Sequence, residues 1–260
     1  MLIVLPHTGL TVFAEGADGF LGQLAADALP AEADAGGGGQ SANTAALPAG
    51  SGTDGKFVVA IDPGHGGVDV GAEGLGFNEE ELTWKTANDL LALLEADDRF
   101  APMLTKARDE TYKPSERAAI ANAAGAGLIF SIHGNSDPEY GSEGFECYPV
   151  PPGGGAHDES LRLARILTQK FTAAGGILHG ENGIRYCYYD ANNNKVIVES
   201  SDDSVHNDPT FTVLESGIPS ILVEQCFITN QHDVNAFGDD AGCRAAAQVY
   251  YDTICEWLFA

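Results

Sequence analysis

The chain is 260 residues long and 44% apolar, enough for one large domain or two small ones with a real core, and incompatible with a disordered protein. It carries 13 basic against 38 acidic residues, a formal charge of −25. That balance excludes a nucleic-acid partner and an anionic membrane surface, because phosphate groups are bound by clustered Lys and Arg.

In chain order, the first stretch, "MLIVLPHTGLTVFAEG", is short and apolar and ends in Val12-Phe13-Ala14, a small-x-small pattern that resembles a signal-peptidase site. Residues 1–14 are read as a truncated signal peptide that lacks its positive n-region, so the expected destination is secretion. No apolar run approaches the length of a transmembrane helix, and no membrane span is expected. Residues 15–55 are rich in Ala, Gly and Ser, contain Gly36-Gly37-Gly38-Gly39 and, up to Gly55, no Lys or Arg. Such a segment cannot bury enough surface to fold and reads as a flexible leader. The folded domain is expected over residues 56–260.

Within that domain, apolar runs at 57–61, 102–105, 128–132, 144–148 and 220–223 read as short buried strands. Between them, Ala87, Leu90, Leu91 and Leu94 recur at helical spacing, as do Leu163, Ile166, Leu167 and Phe171, and again Ala247, Tyr250, Tyr251 and Ile254. Helices alternating with buried strands predict an α/β fold, a three-layer α/β/α sandwich with a mostly parallel central sheet. One stretch departs from that plan. "IRYCYYDANNNKVIVES", residues 184–200, has two β-prone runs around Asn192-Asn193-Asn194 and predicts an inserted β-hairpin.

Chemistry-bearing side chains fall at the ends of these strands. "VVAIDPGHGG" ends its strand in Asp62-Pro63-Gly64 and leaves His65 at the carboxyl end, where ligands collect in open α/β sheets and where glycines permit close approach. "LIFSIHGN" delivers His133 and "SILVEQCFITN" delivers Glu224 to the same edge. Glu79, in "GFNEEEL", opens the first long helix beside that edge. Two histidines and a carboxylate with an open position are the usual catalytic zinc arrangement, with a further carboxylate to move protons. Read singly, His133 could equally be a core histidine, and Glu79, Glu80 and Glu81 could be helix-start acids favoured by the macrodipole. Glu224 follows Ile221-Leu222-Val223 and needs a partner if buried. His7, His157, His179, His206 and His232 fall in loops or the leader and read as solvated. The five cysteines form no C-x-x-C pair and are odd in number, which excludes a disulfide framework or zinc knuckle but leaves one or two bridges open.

Three segments together resemble the zinc-dependent N-acetylmuramoyl-L-alanine amidases of the amidase-3 family: "VVAIDPGHGGVDVGAEGLGFNEEEL", "KPSERAAIANAAGAGLIFSIHGN" and "GIPSILVEQCFITN". The resemblance spans most of residues 57–258. It implies zinc as cofactor, His65, Glu79 and His133 as metal ligands, Glu224 as the catalytic carboxylate, and bacterial peptidoglycan as the partner of an enzyme expected to act as a monomer. Three departures stand out. Gly134 replaces the usual alanine after the second histidine. Cys226 stands where a small residue is usual and is read as packing. Residues 184–210 are longer than the corresponding loop and are expected to wall the groove and touch the stem peptide. A non-catalytic wall-binding module and a zinc peptidase acting on small peptides remain open as alternatives.

Overall fold

The structure, a computed structural model, describes residues 50–52 and 54–260. Residues 1–14, including His7, and residues 15–49 of the expected leader lie outside the described residues. Gly50 already runs beside the sheet, its carbonyl accepting the Val58 N–H at 3.0 Å.

In chain order the elements are β1 (Phe57–Pro63), a two-residue ribbon β2 (Glu73–Gly74) and β3 (Phe77–Asn78), α1 (Glu79–Glu95), β4 (Phe100–Leu104), α2 (Pro114–Ala123), β5 (Leu128–Asn135), β6 (Glu146–Pro149), α3 (His157–Ala173), the hairpin β7 (Arg185–Tyr189) and β8 (Lys195–Glu199), a 3₁₀ turn Thr212–Glu215, β9 (Ser220–Phe227), the short α4 (Gln231–Asp233) and α5 (Asp240–Phe259). The central sheet has the order β4-β1-β5-β9-β6. Its first four strands are parallel, and β6 pairs antiparallel with β9 at the edge.

Every residue of β1 is buried, as a strand covered on both faces requires. Its alternate residues serve two cores. Phe57, Val59 and Ile61 join Leu90, Leu94, Leu163, Tyr250 and Trp257 under α1, α3 and α5. Val58 and Ala60 join Ala121 and Ile129 under α2. The sandwich is therefore three-layered and uneven, with three long helices on one face. The other face is covered by α2 and by a smaller cluster joining Tyr148 and Leu222 of the sheet to Cys187 of the hairpin and Val213 and Leu214.

The sheet runs further than the apolar runs implied. β5 continues to Asn135 and β9 to Phe227, so His133 and Glu224 lie within strands rather than at their ends. Hydrogen-bonded partners on both sides keep these polar residues in the ladder. Helix α2 has no apolar stripe to announce it. It starts at Pro114, with the Glu116 carboxylate accepting the Lys113 N–H at 2.7 Å. All five cysteines are free thiols. No helix among the described residues is long and apolar enough to cross a membrane.

Candidate metal centre and catalytic cavity

The chain leaves β1 for β4 on one side through α1, then jumps back over β1 through α2 to β5 on the other. Reversal of direction opens a crevice between β1 and β5 at the carboxyl edge. His65 follows β1 and His133 lies on β5, so both flank that crevice. His65 has a left-handed backbone, φ 59°, uncommon for a residue with a Cβ and found where surrounding structure over-determines it. The loop behind it closes on itself, with Gly66 N–H donating to the Asp69 carbonyl at 2.7 Å. His65 Nδ1 meets Asp69 Oδ2 at 2.9 Å, which turns Nε2 toward Glu79 Oε1 at 3.1 Å.

Two glycines make the room. A Cβ on Gly64 would collide with the His133 ring, and one on Gly71 would lie 2.7 Å from Glu79 Oε2 and 2.8 Å from His65 Cδ2. The histidine and glutamate side chains occupy the volume that any larger residue would need.

Glu79 is only 5% exposed and is held at four points. Its Oε1 faces His133 Nδ1 at 2.9 Å and His65 Nε2 at 3.1 Å, and accepts the Gly134 N–H at 3.1 Å; its Oε2 accepts the Ala72 N–H at 3.0 Å. Burial pushes this carboxyl's pKa up, but the hydrogen bonds from His133 and His65 outweigh it and hold Glu79 well below the ordinary carboxylate range. Burial likewise opposes the charged form of His65, while Glu79 and Asp69 more than compensate and raise its pKa. One ligand atom from each of His65, Glu79 and His133 lies within 4.8 Å of the other two. Two imidazoles and an ionised carboxylate, with Asp69 fixing one ring from behind, form a donor set that suits a zinc ion.

Glu224 is the register partner of His133 across β5 and β9, and Glu146 is the register partner of Glu224 across β9 and β6. The three stand in one row across the sheet. Glu224 Oε2 is shut off from solvent, with no hydrogen-bond partner among the described residues. Burial, then the charges of Glu79 and Glu146, push its pKa well above the ordinary range, with Lys195 pulling weakly the other way. A carboxyl oxygen sealed in this way and without a donor keeps unused acceptor capacity, and strongly perturbed acids of this kind cluster at functional sites.

His65, Glu79, His133 and Glu224 line one cavity of about 720 Å³, together with Arg117 of α2 and with Tyr189, Asp190, Asn193 and Lys195 around the hairpin turn. Residues of the 184–210 insertion thus form one wall. A profile of the family Amidase_3, N-acetylmuramoyl-L-alanine amidase, matches residues 59–256. The chain belongs to that family. It is 30% identical over 194 residues to N-acetylmuramoyl-L-alanine amidase LytC of Bacillus subtilis (strain 168), covering 75% of this chain and 34% of that one. It is 29% identical over 191 residues to N-acetylmuramoyl-L-alanine amidase CwlM of Bacillus licheniformis, covering 73% and 64%. The chain thus matches about a third and somewhat under two thirds of these two relatives. Among solved structures, the catalytic domain of CwlV, an N-acetylmuramoyl-L-alanine amidase from Bacillus (Paenibacillus) polymyxa var. colistinus, superposes with a TM-score of 0.61 at 25% identity, covering 78% of this chain and 98% of that one. Cwp6 from Clostridium difficile shares the fold, with a TM-score of 0.64 at 24% identity over 81% of this chain and 30% of that one.

Other residues singled out in the sequence lie away from this amidase-family cluster. Glu80 pairs with Arg108 at 2.9 Å, and Glu81 is exposed. Cys226 is buried in the core under α5, where burial raises its thiol pKa. His157 opens α3 instead of lying in a loop and bonds the Val150 carbonyl, His179 bonds the Glu143 carbonyl, and His206 stacks on Tyr188. His232 is exposed.

Several contributors escape a sequence reading. Asp69 could have been found as the one acid in "GHGGVD". The others depend on distant partners. Asp62 is completely buried and takes Arg117 Nη1 at 2.9 Å on both oxygens, Thr105 Oγ1 at 2.6 Å and Ser131 Oγ at 2.6 Å. Glu146 takes Arg185 Nη1 at 2.8 Å, the Tyr148 hydroxyl at 2.9 Å and Asn135 Nδ2 at 2.6 Å.

Proposed function

We propose that this chain is a zinc-dependent amidase of bacterial peptidoglycan, secreted and acting as a monomer at the wall, that hydrolyses the bond between the lactyl group of N-acetylmuramic acid and the L-alanine of the stem peptide. The observation that carries the reading is the convergence of His65, Glu79 and His133 in one cavity with the unpartnered Glu224, in a chain of the Amidase_3 family.

His65, Glu79 and His133 would hold the metal. When bound there, zinc supplies Lewis acidity that polarises the amide carbonyl and makes water nucleophilic near neutral pH. Asp69 keeps His65 in one orientation by taking Nδ1, which leaves Nε2 for ligation. Glu224 accepts the proton of the attacking water at its carboxylate and returns it to the departing L-alanine nitrogen, which otherwise leaves as a strongly basic amide anion. The hairpin and α2 wall the cavity and orient the stem peptide.

The deciding experiment is mass spectrometry of soluble products after purified peptidoglycan is incubated with the full chain and zinc, beside a chelator-treated sample. Peptides bearing a new free L-alanine amine, absent with chelator, are the expected result. Cuts between amino acids of the stem would move the assignment to a zinc peptidase. No release by zinc-loaded protein would move it to a wall-binding module.

A further inference from the structure

Lys195 is the first residue of β8 and pairs with Tyr189 at the turn end of the hairpin. The turn is tight, with Asp190 Oδ1 accepting the N–H groups of Asn192 and Asn194 at 2.8 Å each, so Lys195 starts from a fixed backbone. Its Nζ lies 5.2 Å from the centroid of the Phe211 ring, which shares the cavity wall.

Among the described residues the wall holds two cations, Arg117 and Lys195. Arg117 is locked onto Asp62. Lys195 has no carboxylate partner among the described residues, in a chain with 38 acidic residues available to supply one. The wall's carboxyl groups are Asp69, Glu79, Asp190, Glu215 and Glu224, and its two histidines, His65 and His133, both face Glu79 in the metal cluster. Away from the metal cluster, an anionic group entering this cavity meets one cation among the described residues that no carboxylate already pairs, Lys195. Lys195 and Glu224 also both line an adjoining cavity of about 280 Å³. The cation therefore shares two cavity walls with the carboxylate proposed to move the proton.

On the amidase reading, from which this inference follows, the chemistry of the stem identifies the anion. L-Alanine offers no carboxylate because its own is in a peptide bond. The second residue, a γ-linked D-glutamate, is the first to carry one, a free α-carboxyl about one residue, roughly 3.5 Å of chain, beyond it. Some walls leave this group as an acid and others convert it to an amide. We propose that Lys195 is a specificity-determining residue that reads the free α-carboxylate of the second stem residue and favours it over the α-amide.

The test uses two muramoyl tripeptides that differ only in that group, cleaved by the zinc-loaded full chain. Wild type is expected to prefer the acid by about fivefold in kcat/KM, mainly through KM, the scale of a partly exposed ion pair. Lys195→Arg keeps the preference, Lys195→Met brings the ratio to about one, and Lys195→Glu reverses it, which a purely structural role for the residue would not do. Cleavage of both tripeptides by wild type without preference, or a preference retained by Lys195→Glu, overturns the inference and leaves the amidase reading standing. Cleavage of neither by zinc-loaded wild type overturns both.

Discussion

Glu146 on β6 and Glu224 on β9 face one another across a single antiparallel pair, two identical side chains in the same row of the sheet. Glu146 has three donors around it, Arg185, Tyr148 and Asn135. Glu224 has an oxygen sealed from water with none. Burying a polar group without a partner costs folding free energy, and the neighbouring strand shows that this fold can supply partners when it needs them. The difference separates an acid satisfied within the fold from one left with unused bonding capacity, as the catalytic role proposed for Glu224 requires. Asp62, with Arg117, Thr105 and Ser131, belongs with Glu146.

The largest expected effect breaks the comparison on its catalytic side. Glu224→Gln should lower turnover by about 10²- to 10⁴-fold, the usual contribution of a general acid–base group. Its zinc content and melting temperature should hold or rise, because the substitution removes a buried, unpaired acid. His65→Ala should lose zinc and turnover together. Metal analysis beside kinetics separates the two variants, and a fully active Glu224→Gln would remove Glu224 from the mechanism.

The structural side should break differently. Arg117→Met leaves Asp62 buried with an uncompensated charge, and removing one partner from a buried pair typically costs about 3–5 kcal/mol. Urea unfolding at neutral pH should read that loss. Glu146→Gln, a milder change that strands Arg185 between fewer acceptors, should also destabilise, in contrast to Glu224→Gln. Equal stability of the two Gln variants would refute the division between them.

Asp69 probes the boundary between the groups, because it bears on the metal cluster through its hydrogen bond to His65. Asp69→Ala should weaken zinc binding by about 10- to 100-fold, as loss of an orienting partner behind a histidine ligand does, with folding unchanged. Competition with a chromogenic chelator measures it. An unchanged affinity would mean that the left-handed backbone of residue 65 and the packing against Gly71 suffice to orient the ring.

The two sets of acids also differed in how far they could be read from sequence. His65, His133 and Glu224 follow apolar runs, and parallel strands bring such positions to one edge whatever the loops do; the start of α1 brings Glu79, Glu80 and Glu81 near that edge, and only the family resemblance singles out Glu79 among them. Asp62 and Arg117 are 55 residues apart, and nothing local marks Arg117 as buried, because α2 has Ile120 as its one large apolar residue and shows no stripe. The antiparallel direction of β6 depends on the long return from β5, which periodicity does not encode. Glu146 stayed unrecognised for the same reason: its partner Arg185 arrives on the inserted hairpin from 39 residues away. Side chains set by strand order were legible, and those set by pairing across the fold were not.

The smallest effect extends the comparison to the surface. Asp97, half-buried in the turn after α1, accepts Arg99 Nη2 at 2.6 Å and the Tyr251 hydroxyl at 2.9 Å, tying α5 to that turn. Arg99's hydrogen bonds hold its carboxyl well below the ordinary range. A carboxyl depressed in the folded state stabilises fully above its unfolded pKa, near 3.9, and progressively less as pH falls from there toward the folded value. Asp97→Asn should therefore cost less than about 1 kcal/mol at pH 7, since solvent screens an exposed pair. That difference from wild type should narrow below about pH 4, as the acid takes up its proton and comes to resemble the amide. Urea titrations at the two pH values test the sign. A difference that widened in acid would mean that Asp97 stabilises through its neutral form, as a hydrogen-bonding group and not as a charge.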